Sequence, residues 1–474
     1  MLDRFAAGPG EHPLVPVALG ALLLVGGCSF EDVDLTGREC PCIDGWVCDP
    51  TTSTCRREPM DGGGPADGPE PDAGTVWLLE DRIESDFAQG TTSTTTVIGS
   101  GVRLESGANS GSFTSRLFTV PVERATGRSI TWIPRAPYGK PLLEEAAGSA
   151  ELSAYTEGGM NSSGLVLLLR FDDHSGDPLL DGTTVTDSSG HGHTAVTLDL
   201  APPGDSGYRA GRVGDGAFLA REDFLSISGA TTHADFAFGT DDFSWMAWVR
   251  IDGCAASEDN VIALGGEQPH IWLGAACPSG LAHWQVGDGM SASQGATAPD
   301  GIVDDVWHHL VGVKSGSAGR IVLYVDGRRA VEELVDYGAM GNFTKSLLSG
   351  NFPIGTAPVY TYASQLTVDE LAIFRRALAD DEVRSIYLRG ALRLRLQVRG
   401  CDATGCDAEG FVGPDGTASS FFAEPTGAGP GLPSSQPLPE IVSGSLFQYR
   451  ATFESDAAGF SPELEVMQLL VGLP

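Results

Sequence analysis

Hydrophobic and polar residues alternate along much of this chain with the two-residue period of a half-buried β-strand. Over residues 392–399, Leu392, Leu394, Leu396 and Val398 alternate with Arg393, Arg395, Gln397 and Arg399. Phe447, Tyr449, Ala451 and Phe453 repeat the pattern nearer the end. Phe243, Trp245, Ala247, Val249 and Ile251 share one face of a longer strand, and Trp307, His309, Val311 and Val313 share a face of another. Trp245 and Trp307 are both expected to fill a sandwich core. Ile321, Leu323 and Val325 alternate with Val322 and Tyr324, and Asp326-Gly327 then predicts a tight hairpin turn. Leu165–Leu169 is a continuous apolar run, as expected of a strand buried on both faces. One helix is predicted over 378–390, with acids in its first turn, Val383, Ile386 and Tyr387 on one face, and Gly390 as its stop.

The pattern divides the chain. Short strand candidates fill 101–107, 112–120 and 128–134, after which Pro134 and Pro137 stop pairing. Residues 139–163 read as a crossing segment. Neither this flank nor residues 391–474 holds enough strands to bury its apolar faces alone, whereas together they do. The expected fold class is all-β. One β-sandwich is split into 76–164 and 391–474, and a second domain, 165–390, is inserted between its halves. Two small independent flanking domains are the alternative. Residues 57–75, rich in Gly, Pro and acids, cannot bury enough apolar surface to fold and form a linker.

Near the N-terminus, residues 14–24 form an apolar run too short for a permanent membrane span. It reads as the core of a signal peptide, residues 1–27, ending in small residues. The following LVGGC, 24–28, resembles a bacterial lipobox. That resemblance implies cleavage before Cys28, diacylation of Cys28 and anchoring in the outer membrane, facing the periplasm or the cell surface. Asp3 and Glu11 offset Arg4, a departure from the basic n-region of such signals.

The remaining eight cysteines fall into local groups. Cys40, Cys42, Cys48 and Cys55 form a compact module within 28–56. It resembles small Cys-rich modules that follow the lipid anchor in exported proteins of delta-proteobacterial type. Cys254 and Cys277, and Cys401 and Cys406, form two further pairs. An exported chain with an even count suggests four disulfides. A zinc site in the first cluster competes poorly, because Cys-x-Cys lacks the two-residue knuckle spacing and no His lies nearby. The formal net charge of −34 repels nucleic acid and anionic lipid headgroups. Membrane contact is therefore expected through the lipid alone.

Five segments in order, DSSGHGHTA (187–195), 211–227, 243–251, 306–330 and 368–387, resemble a laminin-G-like domain of the concanavalin A-like jelly-roll class. The resemblance covers about 165–390. It implies a jelly-roll sandwich, a glycan or protein ligand, and in many members one calcium ion. Candidate calcium ligands are Asp187 and Asp369, with backbone carbonyls around Gly190–Gly192. The competing roles are a turn cap for Asp187 and a backbone acceptor for Asp369.

Catalytic signals are weak. The Glu-x-Asp-x-x-Glu string of retaining jelly-roll glycosidases is absent. GDSG at 204–207 is similar to a serine-protease loop, but no partner His and Asp segments accompany Ser206. His308 and His309 point to opposite faces of a regular strand, so both cannot bind one ion. The expectation is a non-catalytic, lipid-anchored binding or adhesion protein. A diverged polysaccharide-degrading enzyme and a ligand-free envelope component are the rivals.

Overall fold

The computed structural model describes residues 46–49 and 54–57 and most of 76–473. The exceptions in that range are 123, 144–150, 152–153, 174–175, 194, 199–204, 221–222, 229–233, 237, 239–240, 254–257, 266–268, 277, 288–292, 335–350, 356–364, 403–404, 407 and 425–431. Cys28, Cys40, Cys42, Cys254 and Cys277 lie outside the described residues. The chain divides into two compact units, Met1–Pro71 and Asp72–Pro474. In the first, Trp46–Asp49 pairs antiparallel with Thr54–Arg57, and the register sets Cys48 opposite Cys55.

The second unit is all-β apart from short helices. Residues 165–374 build two facing eight-stranded sheets. One runs Gly207–Ala210, Asp215–Leu219, Gln365–Phe374, Phe243–Asp252, Trp307–Ser315, Arg320–Val325, Arg328–Leu334, with Leu165–Leu169 also paired to Gln365–Phe374. The other runs Thr184–Val185, Ala195–Leu198, Phe224–Ser228, Asn351–Gly355, Glu258–Gly265, Pro269–Ala276, Leu281–Gly287, Ser293–Gly301. The five alternating residues from Phe243 to Ile251 all enter the core between the sheets. Trp245 meets Trp284 edge to face at 5.6 Å, the geometry the ring quadrupoles favour. Asp326 and Gly327 both have positive φ, as a type I′ hairpin turn demands.

A second sandwich joins the two ends of the chain. In its five-stranded sheet, Leu446–Ser455 pairs with Leu392–Cys401 on one side and with Ser110–Thr114 on the other. In its seven-stranded sheet, Glu463–Gly472 pairs with Val76–Asp81, Gly101–Leu104 and Ala125–Pro134. Strands preceding residue 140 thus hydrogen-bond directly to strands following residue 391. Leu392, Leu394, Leu396 and Val398 point inward, against Phe447, Tyr449, Ala451 and Phe453. The arginines between them face outward: Arg393 bonds Glu454 at 3.0 Å and Asp456 at 2.9 Å. Cys401 and Cys406 form a disulfide with Cα atoms 5.1 Å apart.

The crossing segment and the helix Asp380–Ala391 cover the outer face of the first jelly-roll sheet. Leu142, Leu143, Met160, Val383 and Ile386 pack on Met246, Val311, Val322 and Phe374. This corrects the expectation for Trp307, which is half-buried and packs with the second sandwich rather than inside the jelly roll. Its strand turns the opposite face to the inner core, which receives Leu310 instead. Trp248, also facing outward, is buried in the second sandwich's core and stacks on Tyr387 at 5.5 Å.

Candidate functional site

Where the second sandwich meets the helix Asp380–Ala391, a cleft of about 1010 Å³ opens. Five parts of the chain line it: the hairpin and loop over 96–108, the segment Arg135–Tyr138, Glu157 with Gly158, the helix and its end, and the loop ahead of the last strand. Interfaces between packed bodies are where ligand sites commonly form, because each body supplies one wall.

Arg135 organises one wall. Its guanidinium donates to Glu157 Oε1 at 2.6 Å and to Glu465 Oε1 at 3.2 Å, and Glu463 Oε1 lies 3.5 Å away. The hydrogen bond from Arg135 holds the Glu157 carboxyl below its usual range. Burial raises that of Glu463, outweighing the opposing pull of Arg135. Tyr138 is buried at the base, and burial raises its phenol.

Phe460 is 38% exposed at the rim. Its loop is held by local bonds. Ser455 Oγ donates to the Phe460 carbonyl at 2.8 Å, and the Leu104 amide donates to Ser461 Oγ at 2.8 Å. These bonds hold the backbone that carries the ring. Arg103 and Arg384 also line the cleft. A flat ring beside guanidinium forks and carboxylates can stack on one face of a sugar and hydrogen-bond its hydroxyls.

The carboxylates expected to hold calcium are placed elsewhere and engaged by amides. Asp187 Oδ1 accepts the Leu168 and Ser189 amides at 3.0 and 2.9 Å, and Oδ2 accepts the His193 amide at 2.8 Å. Asp369 is buried, with Oδ2 accepting the Arg212 and Val213 amides at 2.7 and 2.9 Å and Oδ1 accepting the Glu370 amide at 2.8 Å. Each carboxylate thus accepts three backbone amides, the arrangement of a backbone cap. Ser206 is buried, donating to Asp223 Oδ2 at 2.6 Å and accepting the Ala220 amide at 2.8 Å. His309 is buried beside Trp248, while His308 lies between Asp326 and Asp304.

None of the cleft residues was singled out from the sequence as a ligand contact. Their positions run from 96 to 463, and no local spacing links them. An exposed Phe in a turn was the one signal available, and isolated surface aromatics are ordinary.

Residues 226–384 match the family model Laminin_G_3, the concanavalin A-like lectin/glucanases superfamily. No curated protein matches the chain. Among solved structures, the binding domain of Paraclostridial Mosquitocidal Protein 1 aligns with a TM-score of 0.37 and 13% identity, over 50% of this chain and 61% of that one. Domain 4 of AbnA, a GH43 extracellular arabinanase from Geobacillus stearothermophilus, in complex with arabinotriose, aligns with a TM-score of 0.37 and 18% identity, over 48% of this chain and 98% of that one. Trypanosoma rangeli sialidase aligns with a TM-score of 0.36 and 19% identity, over 48% and 34%.

Proposed function

We propose that this is a lipid-anchored, exported binding protein that takes a glycan in the cleft between its second sandwich and the helix Asp380–Ala391, without chemical turnover. The observation that supports this most directly is the partly exposed Phe460, which lines the same cleft as Arg103, Arg384 and the Arg135–Glu157 pair. Anchoring at Cys28 to the outer membrane, with the 57–75 linker as spacer, would set the cleft away from the bilayer.

A glycan array probed with the purified chain tests the reading. Glycan binding that weakens about 10-fold or more in Phe460→Ala and Arg384→Ala is expected, since stacking and charge-assisted contacts are each worth about 1–3 kcal/mol. Absence of glycan binding, or binding indifferent to both substitutions, overturns it.

One observation favours an enzyme instead. Glu157 and Glu463 flank one guanidinium with their carboxyl groups shifted in opposite directions, the division of roles that an acid and a base require. Hydrolysis of any polysaccharide that is lost in Glu463→Gln but not in Phe460→Ala would support that reading over binding alone.

A further inference from the structure

The jelly roll carries a second cluster, remote in sequence from every cleft residue except through the fold. Asp187 draws the loop 187–193 together through its bonds to the Leu168, Ser189 and His193 amides. Gly190 and Gly192 adopt positive φ, which lets the loop reverse and carry two histidines to one side. His191 Nδ1 and His193 Nε2 converge on the same oxygen, Asp235 Oδ2, each at 2.8 Å.

Asp235 is fixed from the other side. It lies on the 3₁₀ turn Ala234–Phe236, whose Phe236 is buried in the jelly-roll core. The Phe236 ring also sits 4.6 Å from that of His193. Arg375 reaches the Asp235 carbonyl at 3.2 Å.

The three ligand atoms lie within 4.8 Å of one another. Tetrahedral zinc with bonds of about 2.0–2.1 Å spaces its ligand atoms by about 3.4 Å. The N···O distances of 2.8 Å need to open slightly, and each histidine must present a lone pair rather than a proton. The contrast with His308 is instructive. There Asp326 and Asp304 bond opposite ring nitrogens, at 2.9 and 3.2 Å, so the groups cannot converge on one ion.

We infer that His191, His193 and Asp235 form a three-ligand site for a divalent transition metal, with Zn²⁺ the ion that fits best. Two imidazoles and one carboxylate suit zinc and not calcium, which takes oxygen ligands. His191 and Asp235 remain 27% and 21% exposed through their side chains, so a coordination position faces solvent. A bound ion would carry water or a ligand donor there.

Zn²⁺ titrated into the metal-free full chain by calorimetry tests this. One site per chain is expected, with a rise in melting temperature as the metal selects the folded state. Co²⁺ in its place should give a visible absorption band. His191→Ala, whose side chain is partly exposed, and Asp235→Asn should each weaken binding about 10-fold or more. In the unaltered chain, Zn²⁺ should also shield His191 and His193 from acylation by diethylpyrocarbonate, read by peptide mass, a measurement needing no variant. Absence of stoichiometric Zn²⁺ uptake shows that the trio is only a hydrogen-bonded clasp. Uptake that survives in the two variants and leaves both histidines unshielded places the metal elsewhere. Either result overturns the inference.

Discussion

Arg389 and Glu151 form a two-pronged ion pair in the interior, Nη1 to Oε2 at 3.0 Å and Nη2 to Oε1 at 2.8 Å. Arg389 belongs to the helix that ends the jelly roll, and Glu151 to the segment leading into it. The same guanidinium donates to the Lys140 and Pro141 carbonyls at 2.7 and 2.6 Å. Alongside, Lys140 Nζ donates to Tyr155 Oη, and Tyr155 Oη donates to Glu424 Oε2 at 2.6 Å. Buried charges that satisfy one another across three parts of the chain dictate one arrangement of these parts.

Removing one partner should be costly. Arg389→Ala leaves Glu151 buried without its cation, and should destabilise the chain by about 3–5 kcal/mol in urea unfolding. Adding Glu151→Ala should restore part of that loss. A single substitution within about 0.5 kcal/mol of the parent would show that the pair contributes nothing.

Trp248 makes the junction sensitive to one methyl group. A Cβ built on Gly390 would come within 2.7 Å of the Trp248 indole, whose ring centre lies 4.7 Å from the Arg212 guanidinium. Gly390→Ala should cost about 1–3 kcal/mol by overpacking, and Trp248→Ala about 3–5 kcal/mol by loss of buried volume. Melting temperatures unchanged in both variants would show that this contact is slack.

Strand pairing predicts how fragments behave. Ala125–Pro134 takes its partners, and Ser110–Thr114 one of its two, from residues 434–472, so a fragment of 76–160 presents unpaired apolar edges. Expressed alone it should be insoluble or unfolded, and a cooperative melt would contradict that. Replacing 165–390 by a short Gly/Ser linker keeps the paired strands but exposes the surface that Trp248 and Tyr387 cover. That shortened chain should keep β-type circular dichroism and melt below the full chain.

Glu370 should make stability depend on pH. Burial pushes its carboxyl up to about 7, against the pull of the Leu142 amide, Arg170 and Arg389. The unfolded chain ionises it near the ordinary value of 4.5. Between about 4.5 and about 7 the folded state holds a proton that the unfolded state has lost, so stability from this group falls as pH rises through that window. Relative to Glu370→Gln, the parent should lose unfolding free energy across those pH values and run parallel above them. Parallel curves throughout would refute the assignment.

On the proposed anchoring at Cys28, Cys28→Ala should move the protein from the membrane fraction to the soluble fraction. A variant that still sediments with membranes, with a mature terminus elsewhere, would remove the lipid anchor from the proposal.

Local periodicity carried far in this chain. The alternation at 392–398, the inward face from Phe243 to Ile251 and the Asp326-Gly327 turn follow from the pleat of a strand and the φ values of a tight turn. Each is decided within a few residues. The need for the two flanks to share a sandwich was also legible, because apolar faces must be covered. Contact between the sandwiches was not. Trp248 and Trp307 have the composition of core residues, and only the packed helix and crossing segment determine which core receives them. Nothing local marks Lys140, Glu151, Glu370 and Arg389 as interior charges, since only partners distant in sequence compensate the desolvation of such groups. The same holds for both sites: Phe460, Arg103 and Arg384 come to line one cleft, and Asp235 meets His193, through tertiary closure alone, because functional convergence of side chains needs no sequence spacing at all.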